Sequence, residues 1–326
     1  MKPIKVLAID GGGIRGLIPA MILAKIEEMT GKPVCRLFDL MAGTSTGGIL
    51  VLALTIPSKS NKSVPAYSAE NLISLYTEKG KKIFSNNIFH TTATAGGLLG
   101  EKYPSSGINS VLKTYFGAAL LSEALTPVLV SSYEIGLRKP FFFKSRHAKN
   151  PLKENYDFLM WQVARATSAA PTYFEPFRIP INDNGGADYY TFVDGGVYAN
   201  NPSMCAFAEA KAMFGNTADI MVLSLGTGEL TKTIAFQDAK DWGLVQWAKP
   251  ILGIVFDGVS DTVDYQMNQL LNNNRYTRIQ ASLAQMGKGI DDASKENIHE
   301  LKLLGQSIIE DWQKSGKLDK LCRQLL

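Results

Sequence analysis

The chain has 326 residues, 45% of them hydrophobic, with 29 glycines and a formal net charge of +4. That length holds one large α/β domain or two ordinary ones, with a sizeable core. So modest a charge, with no dense basic run interleaved with aromatics, argues against a nucleic-acid binder. The three cysteines (Cys35, Cys205, Cys322) and three histidines (His90, His147, His299) lie too far apart for a disulfide framework or a zinc site.

In chain order, Lys5–Ile9 is a short apolar run suited to a buried strand. Starting so early, it leaves no room for a secretory signal. No apolar run approaches the ~18–20 residues of a membrane span. The expectation is a cytoplasmic protein without a transmembrane segment, with export by a signal-less route left open. Asp10 ends the strand, Gly11-Gly12-Gly13-Ile14-Arg15-Gly16 comes next, and Leu17, Met21, Ala24 and Met29 recur at helical spacing. A glycine-rich loop at a helix amino terminus presents unpaired N–H groups to an anion. The same glycines satisfy G-x-G-x-x-G. A dinucleotide site, however, wants an acidic residue at the end of the next strand, roughly 20 residues on. Here the next strand carries Asp39 near its start. A ligand-free turn is the bland alternative.

The oxyanion-binding reading of the loop is preferred because the same chain supplies a nucleophile one strand later. Phe38 to Ala42 leads into Gly43-Thr44-Ser45-Thr46-Gly47, and an apolar run from Ile49 to Ile56 leads out. Strand, sharp turn and buried helix around G-x-S-x-G form the pattern of a nucleophile elbow. Gly43 and Gly47 leave room for backbone at the flanking positions, and Ser45 projects above the helix amino end. A Gly/Ser loop that merely turns the chain is the alternative for an isolated match.

Pro57 to Pro65 is a polar surface loop. Ala69 to Lys82 reads as a helix ending in the basic run Glu78–Lys82, either a solvated terminus or a contact for an anionic lipid surface. Phe84 to Ser106 is irregular, with Gly96–Gly100 in its middle, and reads as a rim or lid. Ile108–Phe116 is helical. Thr126–Ile135 and Arg138–Lys144 read as a hairpin or neighbouring strands about Gly136. Asp157–Ser168 is helical and runs into small residues up to Pro171. Thr191–Val193 is a short strand, and Asp194 ends it on Gly195-Gly196. Alone, Asp194 reads as a plain turn aspartate. Pro202–Phe214 is a helix, Ile220–Leu225 a buried strand, and Trp242–Asn274 mostly helical with a break near Pro250. Tyr276–Ala281 is a last strand. Ser294 caps an amphipathic helix to Trp312, and Lys317–Leu326 is a short terminal helix. The alternation predicts an α/β fold: a three-layer α/β/α sandwich with a mostly parallel central sheet, in one domain spanning 1–326. Residues 1–230 carry the motifs, and 231–326 complete the domain mainly as helices.

A serine hydrolase needs an exposed hydroxyl, a base, and donors aimed at the tetrahedral oxyanion. Ser45 supplies the first, and the N–H groups of Gly11, Gly12 and Gly13 are placed for the last. No histidine stands at a strand end before a glycine turn, whereas Asp194 does. A partly desolvated carboxylate serves as a base directly. The alternatives are a non-catalytic lipid- or anion-binding or storage protein and, less favoured, a dinucleotide-dependent oxidoreductase.

Asp10-Gly-Gly-Gly-Ile-Arg-Gly16, Gly43-Thr-Ser-Thr-Gly47, Ser168–Phe174, Asp194-Gly-Gly196, Ser224–Gly228 and Asp291–Ser294 occur in this order across nearly the whole chain. Together they resemble the patatin-like phospholipase family. The resemblance implies a patatin-like fold and release of fatty acids from phospholipids, lysophospholipids or galactolipids at a membrane interface. It implies Ser45 as nucleophile and Asp194 as its base, with no histidine, no metal, no cofactor and no calcium requirement. Gly11, Gly12 and Gly13 would line the oxyanion hole. Gly43, Gly47, Gly195 and Gly196 would support the site, and Arg15 would hold the loop or meet a lipid phosphate. Head group, chain length and oligomeric state are not readable from the residues.

Overall fold

The computed structural model describes residues 2–85, 101–152, 156–181, 189–229, 234–248, 250–272, 274–283 and 289–326. Its strands are β1 (Ile4–Ile9), β2 (Leu40–Thr44), β3 (Val128–Glu134), β4 (Lys139–Lys144), β5 (Phe177–Pro180), β6 (Tyr189–Asp194), β7 (Ile220–Leu225) and β8 (Tyr276–Ile279). They form one sheet in the order β5-β6-β3-β2-β1-β7-β8, with β4 also on β3. The run β3-β2-β1-β7-β8 is parallel, and β4, β5 and β6 pair antiparallel.

The central strands are apolar at nearly every position because both sheet faces are covered. Leu7, Ile9, Met41, Val130, Leu223 and Leu225 face the larger core. It is built with α1 (Leu17–Thr30), α2 (Thr46–Thr55), α3 (Ala69–Thr77), α4 (Ser105–Phe116) and α5 (Met160–Thr167). Val6, Leu40, Ala42, Leu129, Ile220 and Val222 face a smaller core under α6 (Ser203–Phe214) and α7 (Pro250–Leu270). The predicted three layers and mostly parallel sheet are therefore present. Helices α8 (Lys295–Lys314) and α9 (Lys317–Leu325) join the larger core, and Ser294 caps α8 by accepting from Asn297 N–H. Every residue of α2 is buried, which explains its uniform apolarity. Among the described residues, no helix is long and apolar enough to cross a membrane.

Three local expectations change. The single helix expected over Ala69–Lys82 breaks after Thr77 and resumes as one turn, Gly80–Ile83. Gly80 is pressed on Ile14: a Cβ there would lie 2.7 Å from the Ile14 side chain. Strand β5 has no counterpart among the expected strands, because Phe177-Arg178-Ile179-Pro180 has no apolar run and becomes a strand by pairing with β6. The irregular stretch from Phe84 already turns helical at Ser105. Its glycine cluster Gly96–Gly100, and His90, lie outside the described residues.

Strand β3 acts as a ruler. On one edge it pairs throughout with β4. On the other, Thr44 of β2 stands opposite Ser131, and Asp194 of β6 stands opposite the next residue, Ser132. The carboxyl ends of β2 and β6 therefore meet head to head along one edge of β3.

The carboxyl end of β1 is anchored by an ion pair. Arg278 Nη2 donates to Asp10 Oδ2 at 2.7 Å and Nη1 to Ser224 Oγ at 2.7 Å, with the Asp10 side chain only 2% exposed. Removing one partner of a buried pair strands the other charge. Arg278→Ala is expected to lower stability by about 3–5 kcal/mol in urea denaturation. A loss below about 1 kcal/mol would show that the pair does not hold this strand end.

Candidate active site

Ser45 follows β2 directly and is the N-cap of α2, with φ 55° and ψ −122°. A non-glycine residue in this region is strained and persists only where its surroundings over-determine it. Backbone contacts supply that constraint. A Cβ on Gly43 would lie 2.3 Å from the Gly47 carbonyl, and one on Gly47 would lie 2.2 Å from the Ile9 carbonyl oxygen. The Ser45 N–H donates to Thr167 Oγ1 at 2.8 Å, and Thr167 Oγ1 donates onward to the Ser131 carbonyl at 2.6 Å. Thr44 Oγ1 donates to the Ala199 carbonyl at 2.5 Å and lies 2.6 Å from Ser131 Oγ, fastening the elbow to the segment after Asp194.

Ser45 and Asp194 line the same chamber, and the serine, as a donor, favours the charged carboxylate. The Gly196 N–H donates to Asp194 Oδ1 at 2.7 Å, while the Asp194 N–H donates to the Ala169 carbonyl at 3.0 Å. Gly195 sits against β3, where a Cβ would lie 2.5 Å from the Ser131 carbonyl oxygen. Asp194 is 1% exposed. Burial pushes its carboxyl up to about 7, against the downward pull of the donors Ser45 and Gly196.

The loop after β1 faces the same chamber through Gly12 and Gly13. Of the three glycines expected to donate, Gly11 is already engaged: its N–H donates to the Asn200 carbonyl at 3.0 Å. Among the described residues, the Gly12 and Gly13 N–H groups have no backbone partner. The Gly13 backbone has φ +59°, and a Cβ there would lie 2.2 Å from the Ile290 carbonyl oxygen. The Arg15 side chain lies against this loop. Its Nε donates to the Gly12 carbonyl at 3.4 Å and Nη1 to the Gly228 carbonyl at 3.2 Å. Burial lowers its guanidinium to about 10, with the Asp257 carboxylate pulling the other way.

Beyond the polar end, the chamber walls are apolar: Ile49, Leu75, Ile83, Phe84, Ile108 and Phe174. Neither His147 nor His299 lines it. Two supporting groups carry little sequence signal: Thr167 lies among residues that read as small packing units, and Asn200, which lines the chamber itself, is hinted at only by the Asn200-Asn201-Pro202 run after the Asp194 turn. Thr227, within the Ser224–Gly228 motif, donates through Oγ1 to the Gly11 carbonyl at 2.6 Å.

A mostly parallel α/β sandwich with a strained serine, a buried carboxylate and a glycine loop around one apolar chamber has the build of an acyl hydrolase. The family model described as patatin-like phospholipase matches residues 7–206. "Probable inactive patatin-3-Kuras 1" of Solanum tuberosum is 34% identical over 337 residues, covering 94% of this chain and 86% of that protein. "Patatin-like protein 2" of Oryza sativa subsp. indica is 33% identical over 347 residues, covering 95% and 84%. "Patatin-like protein 2" of Arabidopsis thaliana is 32% identical over 356 residues, covering 98% and 86%. The chain belongs to the patatin-like phospholipase family, a family of lipid acyl hydrolases.

The raised carboxyl makes a prediction about stability. A carboxyl that is raised from 3.8 to about 7 on folding binds its proton more tightly in the folded chain. Stability then falls as pH rises from about 4 to about 7, and the full cost is present above that window. Asp194→Asn removes the cost. It is expected to be more stable than the native chain at pH 8, by roughly 1–4 kcal/mol, with the gain shrinking towards pH 4. Denaturation of both proteins across this range checks it. A pH-independent difference would contradict the assignment.

Proposed function

We propose that this chain is a lipid acyl hydrolase working through a Ser45–Asp194 dyad and an acyl-enzyme. The observation that carries the reading is the buried Asp194 carboxylate in the same chamber as the elbow serine, at the polar end of apolar walls. Asp194 accepts the Ser45 proton as Oγ attacks the ester carbonyl. The oxyanion forms against the Gly12 and Gly13 N–H groups, at the amino end of α2. The tetrahedral species collapses, and Asp194 returns the proton to the departing alkoxide. Water then repeats the sequence on the acyl-enzyme and releases the fatty acid. A base with its carboxyl near 7 is matched to neutral pH. None of these steps calls for a metal or cofactor. One relative carries inactivity in its name; the reading for this chain is supported by Ser45 and Asp194 lining one chamber.

The walls suit an acyl chain. Tyr173, Phe256 and Ile290 line both the chamber and a second, mostly apolar groove. Phe236 and Leu244, 75% and 93% exposed, and the exposed Ile251 and Ile254 lie in the same part of the chain. Apolar surface continuous with the chamber supports a substrate met in a lipid aggregate, not as a lone molecule.

The test is digestion of a panel of phospholipids, lysophospholipids and galactolipids, read by mass spectrometry, with Ser45→Ala as blank. Fatty acid is expected from the native chain alone, and EDTA is expected to leave the rate unchanged. No release from any lipid, with Ser45 unlabelled by a fluorophosphonate, would overturn the reading.

A further inference from the structure

Two grooves share wall residues with the reaction chamber, and they differ in chemistry. One shares Phe84 and is walled by Lys81, Lys102, Asp291 and Asp292. Its charges are matched within the fold, for Lys102 is paired with Asp291. The other shares Tyr173, Phe256 and Ile290 and is mostly apolar.

That second groove borders an apolar surface. Among the described residues, five of the sixteen exposed large hydrophobic side chains fall in one short stretch: Ile234, Phe236, Leu244, Ile251 and Ile254. Ile234 and Ile254 line the groove itself. Trp242 lines it too, and its ring meets that of Trp247 edge-on at 5.1 Å. On α7, Ile251 lies about two and a half turns before the buried Ser260, so it points the opposite way, to the outside. A contiguous exposed apolar surface of this kind marks a contact with a membrane or a partner.

Position and charge decide between occupants. A protein seated on the groove would cover the apolar approach to Ser45, whereas a bilayer delivers substrate through it. From Ile234 to Asp257 the sequence holds three aspartates and two lysines. Attraction to an anionic leaflet rests on clusters of basic residues, which this stretch lacks. The basic run Glu78–Lys82 is partly satisfied within the fold: Lys79 Nζ lies 3.6 Å from Glu78, and Lys82 Nζ donates to Ser110 Oγ at 2.8 Å.

We propose that the surface from Ile234 to Ile254 docks the chain on a zwitterionic phospholipid bilayer by apolar insertion, and that lipid passes along the groove to the chamber. The inference rests on the lipid acyl hydrolase reading. Phe236, Leu244 and Ile251 enter the acyl region. Trp242 and Trp247, apolar rings with one polar N–H each, settle at headgroup level. Binding then follows the apolar area buried and depends little on salt.

The experiment separates docking from chemistry by using the full chain with Ser45→Ala, which leaves vesicles intact. Sedimentation with sucrose-loaded phosphatidylcholine vesicles measures binding. The chain is expected to bind, and added phosphatidylserine or a rise from about 0.1 to about 0.5 M salt is expected to change the affinity less than about threefold. Phe236→Ser with Leu244→Ser is expected to weaken binding ~10–100-fold, the effect of two apolar side chains that no longer insert. With Ser45 restored, the same double variant is expected to lose activity on vesicles by a similar factor, yet to cleave a soluble, monomeric p-nitrophenyl ester within about twofold of the native rate. A brominated phosphatidylcholine is expected to quench the tryptophan emission of the chain, and to quench it little after Trp242→Phe with Trp247→Phe. That reading decides the matter if the serine variant does not fold. Binding that requires phosphatidylserine and disappears at high salt, or a serine variant that binds as the native chain does, overturns the docking surface. So does a stable dimer that ignores vesicles. A chain that cleaves the soluble ester but does not bind vesicles refutes this inference alone. A chain that binds vesicles but never acylates at Ser45 refutes the dyad alone.

Discussion

Adjacent residues on β3 decide where Ser45 and Asp194 are placed. Ser131 holds the last residue of β2, and Ser132 holds the last residue of β6. The two strands approach from opposite directions, so the residue that follows one and the residue that ends the other face each other across a single step of the ladder. Ser45 and Asp194 are far apart in the chain, yet no mobile loop sets their separation. A slip of one position would turn Asp194 to the opposite face of the sheet. Its alignment is secured by the Asp194 N–H bond to the Ala169 carbonyl and the Ser132 Oγ bond to the Val193 carbonyl, at 3.0 and 2.7 Å.

The remaining family motifs gain a physical meaning around that point. Ser224–Gly228 supports the glycine loop from behind: Ser224 accepts from Arg278, Thr227 donates to Gly11, and Gly228 accepts from Arg15. The segment before Asp291 closes over the loop, with the Ile290 carbonyl accepting from the Ile14 N–H at 2.8 Å. Asp291 is tied down by Lys102 and by Tyr103 Oη at 2.7 Å. The helix ending at Thr167 and the small residues after it serve Ser45 and Asp194 through one hydroxyl and one carbonyl. The scaffold's rigidity thus sustains a strained serine and a desolvated acid, both unfavourable by themselves. A buried acid near neutrality weakens the fold where it is ionised, as expected where function and stability compete.

Much of this is legible in the residues. Runs such as Lys5–Ile9 and Ile220–Leu225 are apolar throughout because helices cover both faces, so the layered parallel sheet can be read directly. Gly43 and Gly47 mark the elbow through the close backbone approach they permit. Other features depend on partners distant in sequence. Strand β5 exists through its pairing with β6, and the tight packing of Gly80 on Ile14 is likewise set by a residue distant in sequence. Gly11 resembles Gly12 and Gly13 in the motif, but only the fold brings the Asn200 carbonyl to its N–H. Thr167 and Asn200 act through hydrogen bonds to remote backbone or side-chain atoms, which local composition does not report.

The most direct measurement is the rate at which a fluorophosphonate labels Ser45 as a function of pH, in the native chain and in Asp194→Asn. If the buried carboxylate is the base, the native rate rises with pH through an inflection at about 7. The variant, folded but without the base, labels ~10²-fold or more slowly and without that inflection. A native profile flat across neutrality, or an Asp194→Asn chain labelled at the native rate, would contradict the dyad.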